Sequence, residues 1–245
     1  MCSYNKTLAI VTGANQGLGF ATAKRLASEN GYHVIMAGRR EEAIRVAAEQ
    51  LQKEGLDVEA LVLDLGSDES IDAAVEQVQR KFGHLDVLVN NAGIAHVKPT
   101  PESPRLLYEK ILDTNVVGTM SVTEKFLPLL SKSQQVKRVV FVSSGAGSIG
   151  LWTTPGSATR KFKAPAYAVS KTAVNALCIQ YAVAYDEDES WKFNCCCPGY
   201  CATNLNGYSG LSSPESGADI ICRLATLGPD GPTATFVNAE GPIPW

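Results

Sequence analysis

The sequence has no excess of charge of one sign: 22 basic residues stand against 25 acidic ones in 245, a formal net charge of −3. Without a basic field to meet phosphates, no nucleic-acid partner is expected, and no acidic tract reads as a solvating arm. Long hydrophobic runs are also missing. None approaches the roughly 18–20 residues of a membrane span, so no membrane association is expected. The opening Met1-Cys2-Ser3-Tyr4-Asn5-Lys6 is polar, so no cleavable apolar leader is expected. A disulfide framework is lacking too. The 7 cysteines are odd in number, and Cys195, Cys196 and Cys197 sit side by side, which suits neither paired bridges nor a zinc CxxC pair. They read as small apolar fillers on a buried strand, with no metal site, in a chain of the reducing cytoplasm.

What is present is apolar residue in quantity. The hydrophobic fraction is 45% and the charged fraction 19%, enough for a large core and against global disorder. Short β-branched runs alternate with longer helical stretches. Leu8–Val11, His33–Met36, Val58–Leu63, Leu85–Asn90, Lys137–Ser143 and Trp191–Cys197 read as strands, with a short seventh over Thr235–Asn238. Helical patterns cover Gly17–Asn30, Glu41–Glu54, a segment capped by Ser67, a long one from Ser103-Pro104 to Leu130, Ala166–Asp186, and one opened by Ser213-Pro214. Such alternation means βαβ units with right-handed crossovers. The expected fold is α/β: a single Rossmann-type domain over 1–245, with a doubly wound parallel sheet of about seven strands and helices on both faces. Three loops follow strand C-termini, where open α/β sheets bind ligands: 94–104, 145–165 and 199–213.

Thr12-Gly13-Ala14-Asn15-Gln16-Gly17-Leu18-Gly19 joins the first strand to the first helix. Glycines there let the backbone approach a pyrophosphate, and the helix start offers free N–H groups and a positive dipole end. Dinucleotide folds place a ribose-binding acid about 20 residues further on. That place holds Arg39, followed by Arg40, whose charge and planar fork suit a 2′-phosphate. NADP(H) is therefore expected ahead of NAD(H). Tyr167-Ala-Val-Ser-Lys171 sets a phenol and an ammonium four apart on one helix face. The nearby positive charge is expected to lower the tyrosine pKa and fit it for acid/base work on a carbonyl or alcohol oxygen.

TGANQGLG, NNAG at 90–93, Asn115 in DTNVVG, Val142-Ser143-Ser144, YAVSK and Pro198-Gly199 occur in this order, each on its matching element. Together they resemble the short-chain dehydrogenase/reductase family, over essentially the whole chain and in particular its carbonyl-reductase-like members. The resemblance implies that Tyr167 exchanges the proton and Lys171 holds the nicotinamide ribose and lowers the tyrosine pKa. It further implies that Ser144, rather than Ser143, binds the reacting oxygen, and that Asn115 supports a relay water. It places the cofactor on Gly13, Asn15, Gln16, Gly17, Leu18 and Gly19, with Arg39, Asp64, Leu65, Asn91, Ala92, Gly93, Tyr167, Lys171, Pro198, Gly199 and Thr203. The substrate would be a small-molecule carbonyl or secondary alcohol, and the assembly a homodimer or homotetramer through the two long helices. An alternative within the fold keeps bound NADP(H) structural and catalyses isomerisation, elimination or cyclisation.

Two departures stand out. Gln16 occupies a place where many NADPH-preferring relatives carry a base. Ser144 and Tyr167 are 23 positions apart, longer than the family's usual gap. The extra segment is expected to overhang the site or alter a subunit contact. Candidate pocket walls are His96, Val97, Trp152, Phe162, Tyr200, Tyr208 and Leu211, suggesting a fairly large, partly apolar substrate. Arg160, Lys161 and Lys163 read as a solvated run.

Overall fold

Seven strands, β1 (Leu8–Thr12), β2 (His33–Gly38), β3 (Val58–Val62), β4 (Val87–Asn90), β5 (Lys137–Val142), β6 (Trp191–Cys196) and β7 (Thr235–Val237), form one parallel sheet in the order β3-β2-β1-β4-β5-β6-β7. This is a computed structural model, and it describes residues 6–95 and 103–245. The chain leaves β1 outward through β2 and β3, then returns to the other side of β1 for β4. That reversal opens a crevice at the strand C-termini, between β1 and β4.

Strand alternation divides the core between two faces. Leu8, Ile10, Ile35, Phe141, Phe193 and Cys195 point to one layer, with α3 (Asp68–Lys81), α5 (Thr119–Leu130) and α7 (Pro165–Ala184) over it. Ala9, Val11, Val34, Met36, Val140 and Cys196 point to the other, under α1 (Gly17–Glu29), α2 (Glu41–Lys53) and α8 (Pro214–Ala225). The sheet is thus covered on both sides, as doubly wound topology demands.

The helix starts follow the sequence chemistry. Ser67, Ser103 and Ser213 accept from the backbone N–H groups of Ser70, Leu106 and Ser216, and Pro104 and Pro214 sit in the first turn. The long helix predicted from Ser103 to Leu130 is interrupted. α4 (Pro104–Leu112) passes into α5 through a π-helical turn over Asp113–Gly118, which takes in an extra residue and displaces Asn115 from regular helix. Periodicity could not reveal it, because the apolar pattern runs on through the turn. Gly118 closes the turn against the loop after β3, where a Cβ would stand 2.7 Å from Leu65 Cβ.

The segment expected to be irregular over 145–165 contains 3₁₀ turns at Gly145–Gly147 and Ala158–Lys161, and the short α6 (Ile149–Thr153). Residues near the end of the sequence hold α6: Gly150 N–H donates to Trp245 O at 2.7 Å, and Ser148 Oγ to Pro244 O. The Trp245 ring lies tilted against Phe236 of β7, ring centroids 5.5 Å apart. No helix among the described residues is long and apolar enough to cross a membrane.

Candidate active site

The glycine turn after β1 is a tightly folded cradle. Gly13 and Gly17 have φ of +66° and +57°, which side-chain-bearing residues adopt only with strain. A Cβ on Gly19 would lie 2.6 Å from Asn91 Nδ2 and 2.9 Å from Ala14 Cα, and would press on the Gly13 carbonyl. The turn is pinned from β4: Asn91 Nδ2 donates to Thr12 O at 2.8 Å, and Thr12 Oγ1 accepts from Asn91 N–H and Ala92 N–H at 3.0 and 2.9 Å. Gln16 at the start of α1 supplies no side-chain cap, so the first N–H groups of α1 keep their bonding capacity. Asn15 and Leu18 stand half-buried beside it. This cradle, narrow and free of a capping side chain, fits a pyrophosphate.

The other predicted cofactor residues lie past the C-terminal ends of β2, β3 and β6. Arg39 and Arg40 are exposed just beyond β2, and among the described residues neither meets a carboxylate. Asp64 accepts from Gly66 N–H at 3.1 Å and holds the loop carrying Leu65. Thr203 reaches back to α1, where a Cβ on Gly17 would meet its Cγ2 at 3.3 Å. Pro198 O accepts from Cys201 Sγ, and Gly199 turns with φ of +84°.

Beside the cradle, α7 and the C-terminal end of β5 carry the predicted acid/base group. Lys171 is buried and donates from Nζ to Val142 O at 2.7 Å, with the Nζ 5.6 Å from the Tyr167 ring centre. A Cβ on Gly93 would stand 3.6 Å from that Nζ and 3.2 Å from Asn115 Oδ1. Burial pulls the lysine pKa down to about 8. Tyr167 corrects an expectation. Burial raises its pKa above the ordinary phenol value, with the Cys197 thiol adding to the rise and the Ser144 side-chain hydrogen bond opposing it. The phenol is partly buried, and the Lys171 ammonium, bonded to Val142 O and 5.6 Å from the ring centre, does not offset this rise. The phenol is held as the proton-carrying form.

Ser143 and Ser144 bond in different directions. Ser143 is buried and donates to Asn175 Oδ1 at 2.5 Å. Ser144 faces the phenol and accepts from Ala146 N–H at 3.2 Å. Gly147 lets α7 come this close, since a Cβ there would stand 2.7 Å from the Lys171 carbonyl carbon. Asn115 is buried at the π turn, its amide bonded to both main-chain groups of Ile94.

Of the predicted pocket walls, two lie by this centre. Trp152 Nε1 donates to Ala146 O at 2.7 Å, two residues from Ser144, and the Phe162 ring is 5.9 Å from that of Tyr167. Tyr200 bonds Ser209 through its hydroxyl, while Tyr208 and Leu211 are 68% and 93% exposed. His96 and Val97 lie outside the described residues. A hollow of about 300 Å³ sits instead at the N-terminal end of β6, lined by Tyr185, Trp191 and Asp230; no predicted site residue borders it.

Sequence reasoning missed three participants. Ser170, inside the YAVSK motif, bonds Asn115; Asn175 holds Ser143; and Cys197 departs from its two neighbours. Cys195 and Cys196 are fully buried fillers, as expected, but Cys197 Sγ accepts from Gly145 N–H at 3.1 Å beside Tyr167. Its place at the strand end, next to Pro198, was the available signal.

Residues 7–212 match the family model described as short chain dehydrogenase, and the chain belongs to the short-chain dehydrogenase/reductase family of oxidoreductases. It is 40% identical over 232 residues to the short-chain dehydrogenase anuI of Penicillium roqueforti (strain FM164), with 93% of this chain and 92% of that protein covered. It is 32% identical over 280 aligned positions to carbonyl reductase [NADPH] 1 of Mus musculus, covering 99% and 100%. Among solved structures, salutaridine reductase from Papaver somniferum superposes with a TM-score of 0.81 at 27% identity, over 96% of this chain and all of that one.

Proposed function

We propose that the chain is an NADP(H)-dependent carbonyl reductase, with Tyr167 as the group that protonates the substrate oxygen. The observation that carries this is the convergence of Ser144, Tyr167, Lys171 and Asn115 at the end of β5, directly beside the glycine cradle. The similarity to a carbonyl reductase named for NADPH supports the choice of cofactor, as do the exposed guanidinium groups of Arg39 and Arg40.

Gly13, Gly17 and Gly19 with the start of α1 would hold the pyrophosphate, Arg39 the 2′-phosphate, Asp64 and Leu65 the adenine side, and Asn91, Ala92, Gly93, Pro198, Gly199 and Thr203 the remainder. When bound, NADPH supplies the hydride. The chain's own residues do the rest. Ser144 orients the carbonyl oxygen, and Tyr167, a protonated phenol near neutral pH, donates to it. The Lys171 ammonium sits behind the phenol and stabilises the phenolate left by that donation. Trp152 and Phe162 border the substrate carbon side and exclude water, and the 94–104, 145–165 and 199–213 loops complete the pocket. The same proposal places the enzyme in the cytoplasm, and assigns self-association to α5 and the exposed face of α7, which carries Val169 and Val183.

The test is NADPH oxidation followed by absorbance against a panel of ketones and quinones. Tyr167→Phe is expected to abolish turnover and leave NADPH binding intact; retained hydride transfer would refute the assignment. A product of unchanged oxidation state, formed without net NADPH consumption, would instead point to isomerisation, elimination or cyclisation around a structural cofactor.

A further inference from the structure

Both donors of the Asn115 side chain, and one lone pair of its oxygen, are already engaged. Its Oδ1 accepts from Ile94 N–H at 2.8 Å, and its two N–H bonds go to Ile94 O at 2.9 Å and Ser170 Oγ at 3.0 Å. An amide has two donors, so none is left for a relay water. Such a water is left only the second lone pair of Oδ1 or the main chain of the π turn. The side chain instead clamps both backbone groups of Ile94, the residue after Gly93, to the catalytic helix.

The clamp reaches that helix through one hydroxyl. Ser170 is fully buried, accepts from Asn115, and donates its only hydrogen to Tyr167 O at 2.7 Å. The chain of bonds runs Ile94, Asn115, Ser170, Tyr167, with each N–H and O–H used once. On one side of it lies the loop whose Gly93 borders Lys171 Nζ, and on the other the phenol and the ammonium. We propose that Ser170 is a positioning residue for hydride transfer: it fixes α7 to the Gly93–Ile94 loop so that cofactor floor and proton donor keep one spacing. The proposal rests on the reductase reading above. Loss of the hydroxyl leaves a buried amide N–H without its acceptor, so the Asn115 amide turns and Ile94 loosens. Displacements of about 1 Å at a reacting centre cost on the order of a hundredfold in rate.

The experiment uses Ser170→Ala and Ser170→Cys in the full chain. Cysteine fills the same space with a much weaker donor and acceptor, so it preserves packing if alanine does not fold. First, amide hydrogen exchange is followed in the cofactor-free protein. Exchange over residues 91–95 is expected to rise about tenfold or more in Ser170→Ala, and less in Ser170→Cys, with the rest of the sheet unchanged. Second, with NADPH and a ketone the wild type reduces, kcat should fall roughly ten- to hundredfold while the NADPH dissociation constant stays within about twofold. The primary isotope effect from deuterated NADPH should grow as hydride transfer becomes limiting. Unchanged exchange at 91–95, or a lowered melting temperature with unchanged isotope effect, would overturn the proposal and leave Ser170 a packing residue. If the wild type reduces no carbonyl, the reductase reading falls, while the exchange experiment still decides whether Ser170 holds the loop.

Discussion

Replacing Gly19 with alanine inserts one methyl group at the tightest point of the cradle. Its Cβ would stand 2.6 Å from Asn91 Nδ2 and 2.9 Å from Ala14 Cα, against ordinary carbon contacts of roughly 3.5–4 Å. Neither neighbour is the loose end of a flexible side chain. Ala14 is backbone, and the Asn91 amide is tied to Thr12 O at 2.8 Å. The turn must therefore move by several tenths of an ångström. Overpacking of this kind costs about 1–3 kcal/mol. In a domain of this size each kcal/mol lowers Tm by about 2–4 °C, so the expected fall is about 2–12 °C. NADPH titrated by its fluorescence should bind about tenfold more weakly or worse, which corresponds to about 1.4 kcal/mol. Two other glycines separate crowding from backbone strain. Gly31 has φ of +64° and nothing within 4 Å of a Cβ, so alanine there costs about 1–2 kcal/mol of left-handed strain and leaves NADPH affinity unchanged. Gly228 has open space and no positive φ, and alanine should shift stability by less than about 0.5 kcal/mol. Native NADPH affinity in Gly19→Ala, or an equal loss in Gly31→Ala, would refute the reasoning.

Arg39→Ala should weaken NADPH by about ten- to a hundredfold, the worth of a hydrogen bond to a charged group, and leave NADH nearly unaffected; steady-state KM values for the two nucleotides decide it. His33 gives a pH signature at the other end of the sheet. Burial pulls its pKa down, but hydrogen bonds to Glu59 and Asp57, the latter at 2.7 Å, outweigh this and leave it raised. Above the ordinary imidazole value of about 6.5 the folded chain keeps a proton the unfolded chain has released, so stability falls as pH rises through the raised value, by at most about 1.4 kcal/mol per pH unit. Calorimetric melting between pH 6 and 8 should show this decline in wild type and a flatter profile in His33→Gln.

Much of this architecture was legible in order of residues alone. Strands such as His33-Val-Ile-Met36 carry their β-branched pattern openly, and Ser67, Ser103 and Ser213 announce the helices they cap. The cradle and the Tyr167–Lys171 pair were legible because their chemistry depends on local spacing. What escaped depends on contacts distant in sequence. The π turn at Asp113–Gly118 ends against Leu65, about fifty positions earlier, where only a glycine at 118 leaves room. The direction of the Tyr167 shift depends on how completely the surrounding loops exclude water, which spacing does not encode. Ser170 lies inside a recognised motif, yet its bond to Asn115 spans 55 positions.

The brace between α6 and the 242–245 segment bears on the order in which the protein becomes competent during synthesis. The turn after β1 and its pins from Asn91 and Ala92 need only the first 93 or so residues, so a nascent chain has the parts of its nucleotide cradle early. The wall carrying Trp152 is secured only when Pro244 and Trp245 arrive, some 96 positions after Ser148. The two halves of the site thus differ in how far along the chain their parts are drawn from, and a change near Pro244 can alter the Trp152 wall while leaving the turn after β1 untouched.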